Sequence, residues 1–384
     1  MADSISPPKS KKQKKGASQR PLDSSKPKEW KKWRDENKGK KKMIKDDKLE
    51  RLREKEEAER LEREDAEAKE AERRVLGRPW TVSVALPGSI LDNAQSPQLR
   101  TYLAGQIARA MVVFAVDEVI IFDESGMPAS NTDGNFDGIG KKGNPNVQLA
   151  RILQYLECPQ YLRKNFFPMQ ADLQFAGLLN PLDCPHHLRA DEVSRYREGL
   201  VMDRTVRQGK GSFVSVGLLK EVQIDRKLKP GLRVTVKMDG EDYINSERKT
   251  FTGTVVSPSA PRTEAGIYWG YSVRLASGLS AVFSEGPYQE GYDVTLGTSE
   301  RGVDVDKLQL SEFRHLLIVF GGLKGLEYSL DADEHLMISE AELLFDHYVN
   351  TCPTQGSRTI RTEEAILISL SSLRPQIQRA VTHS

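Results

Sequence analysis

The chain has little of several features that mark common protein classes. Its 384 residues include three cysteines, Cys158, Cys184 and Cys352, which lie far apart in sequence. This spacing argues against a disulfide framework, and the run Cys184-Pro185-His186-His187 lacks partners at the spacing of a zinc site, so we expect no metal. No apolar run approaches the ~20 residues that span a bilayer, and the N-terminus is too charged for a secretory signal. We therefore expect a soluble, intracellular protein.

Glycine-rich phosphate loops are also missing. No Gly-x-x-x-x-Gly-Lys-Ser/Thr run is present, which argues against a phosphate-loop nucleotide site. The run from Gly138 to Gly143 does match Gly-x-Gly-x-x-Gly, but no strand is predicted to end directly before it and Pro145 follows it. The context of a dinucleotide site is therefore lacking. The run is either a mobile loop or a phosphate contact through Lys141 and Lys142, since glycine lets backbone N–H groups approach an anion.

Charged residues are abundant and unevenly distributed. The formal net charge of +2 divides into about +10 for residues 1–48, about −2 for residues 49–78 and about −6 for the remainder. Lysine clusters and few apolar residues predict that residues 1–48 are a disordered basic arm, which is a solubilising tail, a nuclear signal or an RNA contact. Residues 49–78 carry acid–base pairs at i,i+4 spacing, which predicts an exposed charged helix rather than a coiled coil.

The pattern after the charged helix is that of an α/β domain beginning near Trp80. Alternating apolar residues from 82 to 86 predict a strand, and Ser96 with Pro97 predicts the start of a helix. Residues 118–122 form a predicted buried strand, and residues 146–156 a second helix. This strand–helix–strand–helix order is typical of a parallel sheet.

The pattern changes between residues 203 and 279. Short runs rich in β-branched and aromatic residues alternate there with turn residues, at 213–216, 232–237, 251–256 and 268–275. They predict a small barrel of the oligonucleotide-binding type, with another small barrel or a hairpin sheet as the alternative.

Three polar, glycine-bearing loops follow the strands predicted in the last third of the chain. These strands are residues 292–296, 315–320 and 343–349, and a predicted helix over residues 363–373 follows them. The return to an α/β order indicates that the barrel is inserted into one α/β domain. Because parallel strands end at the same edge of a sheet, we expect the three loops to form one small-molecule pocket there.

Residues 79–384 resemble the SPOUT class of S-adenosylmethionine-dependent RNA methyltransferases, most closely the archaeal and eukaryotic subfamily with an inserted small domain. The run from Gly356 to Ala365 is the most specific part of the resemblance. It implies a methyltransferase domain formed by residues 79–202 and 280–384, with a C-terminal trefoil knot, and an oligonucleotide-binding-like (OB-like) barrel over residues 203–279.

The resemblance also implies that the three loops bind S-adenosyl-L-methionine. In enzymes of this class, backbone groups from three loops hold the cofactor. The positions that match are Gly297, Thr298, Ser299, Arg301, Gly302, Phe320, Gly321, Gly322, Leu323, Asn350, Thr351, Cys352, Pro353, Gln355, Gly356, Ser357, Arg358, Thr359 and Ile360.

Catalytic roles follow from the chemistry of methyl transfer to a ring nitrogen. The reaction needs a base for the departing proton and cations for the anionic ring. The predicted cations are Arg301, Arg361 and Arg358, and the predicted base is Glu300 or Glu363. Salt bridges among these residues are the alternative interpretation.

The aromatic residues at 268–271 lie between Arg262 and Arg274. They are expected either to fill the barrel core or, as for an outward Trp269, to stack on unpaired bases with the arginines assisting. The predicted RNA contacts are therefore Arg262, Trp269 and Arg274, together with Lys141 and Lys142.

By resemblance we expect a homodimer that methylates a base in RNA, with a uridine in ribosomal RNA as the first choice. The nucleus, nucleolus or cytoplasm is the expected location. The rival hypothesis is a non-catalytic RNA-binding or assembly factor that keeps the fold, and the link of vertebrate relatives to the mitotic spindle and kinetochore would suit that role. The intact glycines of the three loops favour the enzyme, and a bulky residue at Gly322 or Gly356 is expected to abolish cofactor binding.

Deletion of residues 1–48 should weaken RNA binding and make it less dependent on salt, because lysine–phosphate contacts act by releasing counterions. Cofactor affinity should stay unchanged. Fluorescence anisotropy with a labelled RNA over a series of salt concentrations measures this, with the full chain as reference. Equal salt slopes for the two proteins would show that the arm does not touch RNA.

Overall fold

The computed structural model describes scattered positions between Lys31 and Arg60, residues 77–125 and 145–240, Tyr243, and residues 249–381. The chain divides into two compact units, Met1–Glu72 and Arg73–Ser384. Most of the predicted basic arm and charged helix lies outside the described residues. So does the loop from residue 138 to residue 143 with its two lysines, so these parts stay predictions.

The described positions of the first unit are helical. Leu49 and Arg60 lie in the predicted charged helix, whereas Lys31, Trp33 and Met43 lie within the arm that was expected to be disordered. Helical structure is therefore present earlier in the chain than residue 49, the predicted start.

The described residues of the second unit form eleven strands: β1 (Thr81–Pro87), β2 (Glu118–Phe122), β3 (Tyr196–Val201), β4 (Phe213–Ser215), β5 (Val222–Ile224), β6 (Arg233–Met238), β7 (Phe251–Val256), β8 (Ser272–Ala276), β9 (Val294–Asp304), β10 (His315–Val319) and β11 (His347–Asn350). Six of them form one sheet in the order β11-β9-β10-β1-β2-β8, and every neighbouring pair is parallel. This arrangement confirms the predicted parallel α/β sheet. Because all six strands run in one direction, they all end at one edge.

Helices cover both faces of the sheet. The described helices of this unit are α1 (Pro97–Val113), α2 (Pro145–Glu157), α3 (Gln160–Phe166), α4 (Ala260–Ala265), α5 (Leu279–Ser284), α6 (Gly325–Asp331) and α7 (Thr362–Val381). Side chains along a strand alternate between the faces. Val84 and Ile121 pack in the core with α1, α2 and α7, whereas Ala85 and Ile120 pack in a second core with α5 and α6. None of the helices built from described residues is long and apolar enough to cross a membrane.

Two element bounds near the C-terminus differ from the prediction, whereas the predicted start of α1 is confirmed. Ser96 caps α1 as predicted, and its Oγ accepts a hydrogen bond at 3.2 Å from the backbone N–H of the third helical residue. The last strand begins at His347 rather than at residue 343, because Ala341–Leu344 form a 3-10 turn. The final helix continues to Val381 because its apolar face, which includes Ile377, stays against the core.

Strand β9 contains a bulge beside β11. Gly297 pairs with Tyr348, and the next residue of β11, Val349, pairs with Val303. Residues 298–302 of β9 therefore have no partner on β11 and form the bulge. Pairing therefore continues past the point at which the sequence predicts the strand to end. Bulges redirect side chains and are common beside functional sites.

The other five strands form a closed barrel in the order β3-β4-β5-β7-β6. Strands β5 and β7 are parallel and the remaining pairs are antiparallel. The inserted OB-like barrel is therefore confirmed, with a core that includes Val214, Val236 and Phe251. Its extent differs from the prediction, because it begins at Tyr196 rather than at residue 203. The run 268–275 lies outside it, since β8 pairs with β2 in the parallel sheet.

A buried charge network joins the barrel to the α/β domain. Glu198 on β3 accepts hydrogen bonds from Arg233 Nε at 2.8 Å, Thr235 Oγ1 at 2.5 Å and Trp269 Nε1 at 2.6 Å. Arg233 also donates to both carboxylate oxygens of Glu157, the last residue of α2, at 2.7 and 2.9 Å. A cavity of about 590 Å³ lies beside this network, and its wall includes the first residues of β1 and β8. The barrel therefore packs at the amino-terminal edge of the sheet.

The electrostatics of Glu157 follow from this network. Burial alone would raise the pKa of Glu157, but the hydrogen bond from His186 and the charge and hydrogen bonds of Arg233 lower it to about 2. The folded state therefore favours the ionised carboxylate, and its stability is linked to pH.

Replacement Glu157→Gln should lower the free energy of unfolding at neutral pH by about 3 kcal/mol, because it leaves Arg233 without its bidentate partner. A depressed carboxyl pKa contributes stability that is present above the unfolded value of 4.5 and is lost as pH falls through about 2. The difference between the two proteins in urea denaturation should therefore shrink as the pH is lowered below 4.5. The exposed Glu312→Gln serves as the control, and equal stability of wild type and Glu157→Gln at neutral pH would contradict the prediction.

Candidate functional site

A cavity of about 570 Å³ opens at the carboxyl-terminal edge of the parallel sheet. Its wall comes mainly from three segments: the bulge of β9, the loop after β10 and the loop after β11. The predicted cofactor residues on this wall are Thr298, Ser299, Arg301, Phe320, Gly321, Gly322, Leu323, Asn350, Thr351, Cys352, Gln355, Thr359 and Ile360. The structure thus brings the three predicted segments together, while the role of these residues in binding a cofactor stays a prediction.

Six of the predicted cofactor residues do not line the cavity. A Cβ on Gly297 would lie 2.4 Å from the ring of Phe345, and a Cβ on Gly302 would lie 2.4 Å from the backbone of Val349. These two glycines therefore allow β9 to pack closely against its neighbours rather than giving a ligand access. The other four belong to a part of the last loop that is off the cavity wall: Pro353, Gly356, Ser357 and Arg358.

The loop after β10 depends on close backbone approaches. A Cβ on Gly321 would lie 2.6 Å from the backbone of Gly325, and a Cβ on Gly322 would lie 2.4 Å from Oε2 of Glu124. Thr362, the first residue of α7, donates from Oγ1 to the carbonyl oxygen of Gly321 at 3.1 Å. Larger side chains in this loop would have to displace either its own turn or the Glu124 carboxylate.

Glu124 follows β2 at the same edge of the sheet. Ser89 donates a hydrogen bond from Oγ to Glu124 Oε1, while Oε2 is buried without a hydrogen-bond partner among the described residues. Burial raises the pKa of Glu124, and its hydrogen bond with Ser89 and the charge of Lys324 oppose that rise. The absence of a side chain at Gly322 therefore leaves room for the Glu124 carboxylate beside the loop.

The loop after β11 is fastened to the bulge of β9 and to α7. Asn350 donates from Nδ2 to the carbonyl oxygen of Glu300 at 3.0 Å, and its Oδ1 accepts from the N–H of Cys352 at 3.0 Å. The hydroxyl oxygens of Thr351 and Ser369 lie 2.6 Å apart. These bonds hold the first and third segments of the wall in a fixed arrangement.

Both signs of charge are present at the cavity. Arg301 pairs with Glu327 at 3.5 Å, and its side chain is 74% exposed, so the pair adds little stability. Arg361 and Glu300 are exposed and line the cavity. Glu363 is not part of the wall, and its Oε2 is buried without a hydrogen-bond partner among the described residues. Of the two predicted bases, Glu300 is therefore the one placed beside the cavity.

Several wall residues escaped the sequence analysis. They are Asn93, Lys324, Gly325, Leu326, Glu327, Thr362, Ala365, Ile368 and Ser369. Those of α6 and α7 have the composition of ordinary helices, which gives no signal of a site. Asn93 ends a 3-10 helix directly after β1, and it reaches the cavity because β1 lies beside β10 in the sheet. Strand order was the missing information.

Three side chains that were predicted to contact RNA make hydrogen bonds within the protein, which argues against those contacts. Trp269 is 8% exposed and donates its ring N–H to Glu198, so its faces are not free to stack on a base. Arg262 donates to the carbonyl oxygens of residues 78, 79 and 80. Arg274 donates to Glu118 and to the carbonyl oxygens of residues 281 and 282. The physical reason is that Arg274 lies on β8, an edge strand of the parallel sheet that packs against α5, while Arg262 and Trp269 lie in the connection that leads from the barrel to that strand.

Cys184, His186 and His187 have potential metal-ligand atoms within 4.8 Å of one another. However, the Nε2 atoms of both histidines hydrogen-bond to the carbonyl oxygen of Glu157, at 2.8 and 2.7 Å. Burial raises the pKa of the Cys184 thiol to about 12. Among the residues that the structure describes, the cluster offers three ligands, fewer than the four of a structural zinc site. We therefore interpret this cluster as part of the junction between barrel and sheet.

Comparison with known proteins identifies relatives over most of the chain. Residues 81–373 match a protein family described as "Putative RNA methyltransferase". The chain is 63% identical over 310 residues to the 28S rRNA (uridine-N(3))-methyltransferase of Homo sapiens, an alignment that covers 81% of this chain and 82% of that relative. It is 50% identical over 363 residues to the protein of the same name from Drosophila melanogaster. This alignment covers 92% of this chain and 74% of that relative.

A solved structure gives a weaker likeness. The SpoU methyltransferase AviRb from Streptomyces viridochromogenes in complex with AdoMet shares 12% identity and a TM-score of 0.29, over 79% of this chain and 61% of that one. So low a score supports no conclusion about the fold or the ligands of this protein. The family match covers most of the second unit, and the relatives are matched over most of their own length. The chain therefore belongs to this family of RNA methyltransferases, which is of the SPOUT class.

Proposed function

We propose that this protein transfers a methyl group from S-adenosylmethionine to N3 of a uridine in the RNA of the large ribosomal subunit. The observation that carries the proposal is the cavity at the carboxyl edge of the sheet, walled by three segments, in a chain of an RNA methyltransferase family. The choice of uridine N3 and of ribosomal RNA is supported by the names of the human and fly relatives.

The cavity suits a cofactor with the size and charge of S-adenosylmethionine. Its volume of about 570 Å³ lies within the ~300–1,000 Å³ that is usual for small-molecule sites. Phe320 and Ile360 supply apolar wall for an adenine ring, and the glycine-bearing loop supplies backbone polar groups. Glu300 and Glu327 place negative charge on the wall, which complements a sulfonium.

S-adenosylmethionine supplies an electrophilic methyl group, and the protein holds the acceptor nitrogen in line with it. N3 of uracil carries a proton that must leave, and Glu300 on the cavity wall is the carboxylate that accepts it. The ring oxygens gain negative charge as the proton leaves. Arg301 and Arg361, which both line the cavity, stabilise that charge. Among the described residues, the ion pair of Arg301 is the exposed one with Glu327 at 3.5 Å, so Arg301 exchanges that partner for an anionic ring at little cost.

We also propose a homodimer and a location in the nucleus, nucleolus or cytoplasm, where ribosomal RNA is made and used. Large apolar side chains are exposed on two neighbouring helices, Leu99 and Tyr102 on α1 and Leu367 on α7. A second copy of the chain would cover them and give each a favourable free energy of burial. Association with the spindle and kinetochore belongs to the rival scaffold hypothesis and stays a prediction.

Replacement Gly322→Leu should weaken S-adenosylmethionine binding by roughly tenfold or more, because the new side chain collides with Glu124 and occupies the cavity wall. Gly356→Leu is the matched control. Although Gly356 was expected from the sequence to be equally required, we propose that this variant still binds, since a Cβ there meets no atom within 4 Å and the residue is off the wall. Isothermal titration calorimetry with the cofactor measures both affinities, and thermal unfolding checks that both variants fold. Loss of binding in the control alone would refute this position of the pocket.

Mass spectrometry of nucleosides provides the test of the reaction. Incubation of the protein with S-adenosylmethionine and a 28S-type ribosomal RNA transcript should yield N3-methyluridine. Gly356→Leu should retain the product and Gly322→Leu should lose it, since only the latter lies at the cavity. A different methylated nucleoside would overturn the assignment to uridine N3. If the protein binds the RNA but no methylated nucleoside is found, the result would favour the scaffold hypothesis over the enzyme hypothesis.

A further inference from the structure

We propose that one end of the barrel binds the phosphate backbone of the RNA substrate. This end consists of two loops, residues 202–212 between β3 and β4 and residues 225–232 between β5 and β6, and we call it the basic end of the barrel. The inference rests on the proposed function, because it specifies how the RNA of that reaction is held. It replaces the RNA contacts that the sequence placed at Arg262, Trp269 and Arg274.

The two loops of the basic end are hydrogen-bonded side by side. The N–H of Ser212 donates to the carbonyl oxygen of Arg226 at 3.0 Å, and the N–H of Leu228 donates to Ser212 Oγ at 3.0 Å. The N–H of Gly231 donates to the carbonyl oxygen of Val201, at the end of β3, at 2.9 Å. The cations on the two loops are therefore held in one patch on a rigid barrel.

Positive charge is in excess at this end. The two loops carry six basic and two acidic residues. Arg204 pairs with Glu221, and Arg226 pairs with Asp225 at 3.0 Å. The other four basic side chains are exposed and make no ion pair with any residue that the structure describes: Arg207, Lys210, Lys227 and Lys229. Like charges held this close repel one another, and a polyanion relieves that repulsion.

The composition of the basic end favours a nucleic acid over a protein partner. Protein interfaces are centred on buried aromatic or apolar residues, and lysine is depleted there. Leu232 is the one large apolar side chain of these two loops that is exposed. Gly209 and Gly231 adopt positive φ angles, and a Cβ on either would meet no atom within 4 Å. The backbone beside the cations is therefore open, as the close approach of a phosphate requires.

The basic end lies away from the cavity in which methyl transfer is proposed to occur. The barrel packs at the amino-terminal edge of the sheet and the cavity opens at the carboxyl edge. A strand of seven residues, the length of β1, spans ~23 Å, so at least the depth of the sheet separates the two. The basic end therefore contributes to holding RNA and takes no part in the transfer step. Its loss raises KM for RNA and leaves kcat unchanged.

Two variants of the full chain, each lacking four exposed basic charges, test this inference. The barrel variant carries Arg207→Gln, Lys210→Gln, Lys227→Gln and Lys229→Gln. The control variant loses four exposed cations from the α/β domain, none of them on the wall of either cavity: Lys164→Gln, Lys307→Gln, Arg314→Gln and Arg374→Gln. The measurements are anisotropy with a labelled 28S-type RNA fragment over a salt series, kcat and KM for methylation, and calorimetry with S-adenosylmethionine.

The barrel variant should show a rise of about tenfold or more in KM and in Kd for RNA, and a salt slope lower by about 3, as expected for four lost phosphate contacts. Its kcat at saturating RNA and its cofactor affinity should match the wild type, and the control variant should match in every measurement. An unchanged slope and KM in the barrel variant would overturn the inference, as would equal losses in both variants. Anisotropy does not require methylation. A protein that binds RNA through this end without modifying it would therefore refute the proposed function and support this inference.

Discussion

Parallel pairing of six strands is the constraint on which the candidate site depends. Since every strand runs in the same direction as its neighbours, the segments that follow β1, β9, β10 and β11 all reach one edge of the sheet. Burial on both faces keeps the strands in register, as with Val84 on one side and Ala85 on the other. Segments that are distant in sequence therefore share one wall, and a single cavity follows from strand order.

Strand order alone would leave the three segments loosely arranged, and local contacts fix them. The bulge of β9 brings residues 298–302 to the cavity, and Asn350 connects that bulge to the loop after β11. Thr362 connects α7 to the loop after β10, and Ser369 connects α7 to the loop after β11. A site built on such fixed elements holds its groups in position before a ligand binds, which reduces the entropy lost on binding.

Arginine serves two purposes in this protein, and only its neighbours distinguish them. Arg233 and Trp269 satisfy buried carboxylates where the barrel meets the sheet, because an unpaired buried charge would be costly. At the basic end of the barrel, Arg207 and Lys227 have no such partner among the described residues and face solvent. Arginine therefore stabilises the fold at one place and is available to a polyanion at another.

The sequence by itself determined the α/β class, the inserted barrel and the three glycine-bearing segments, because apolar periodicity and turn residues are local signals. The resemblance to a known family placed Phe320 and Arg361 at one site, and both line the same cavity. It did not place Asn93 or Glu327 there, nor show that Gly297 packs against Phe345 instead of a ligand. Those facts depend on which strands are neighbours and in which register. Tertiary structure alone decides this, because it balances burial and hydrogen bonding over the whole chain rather than within one segment.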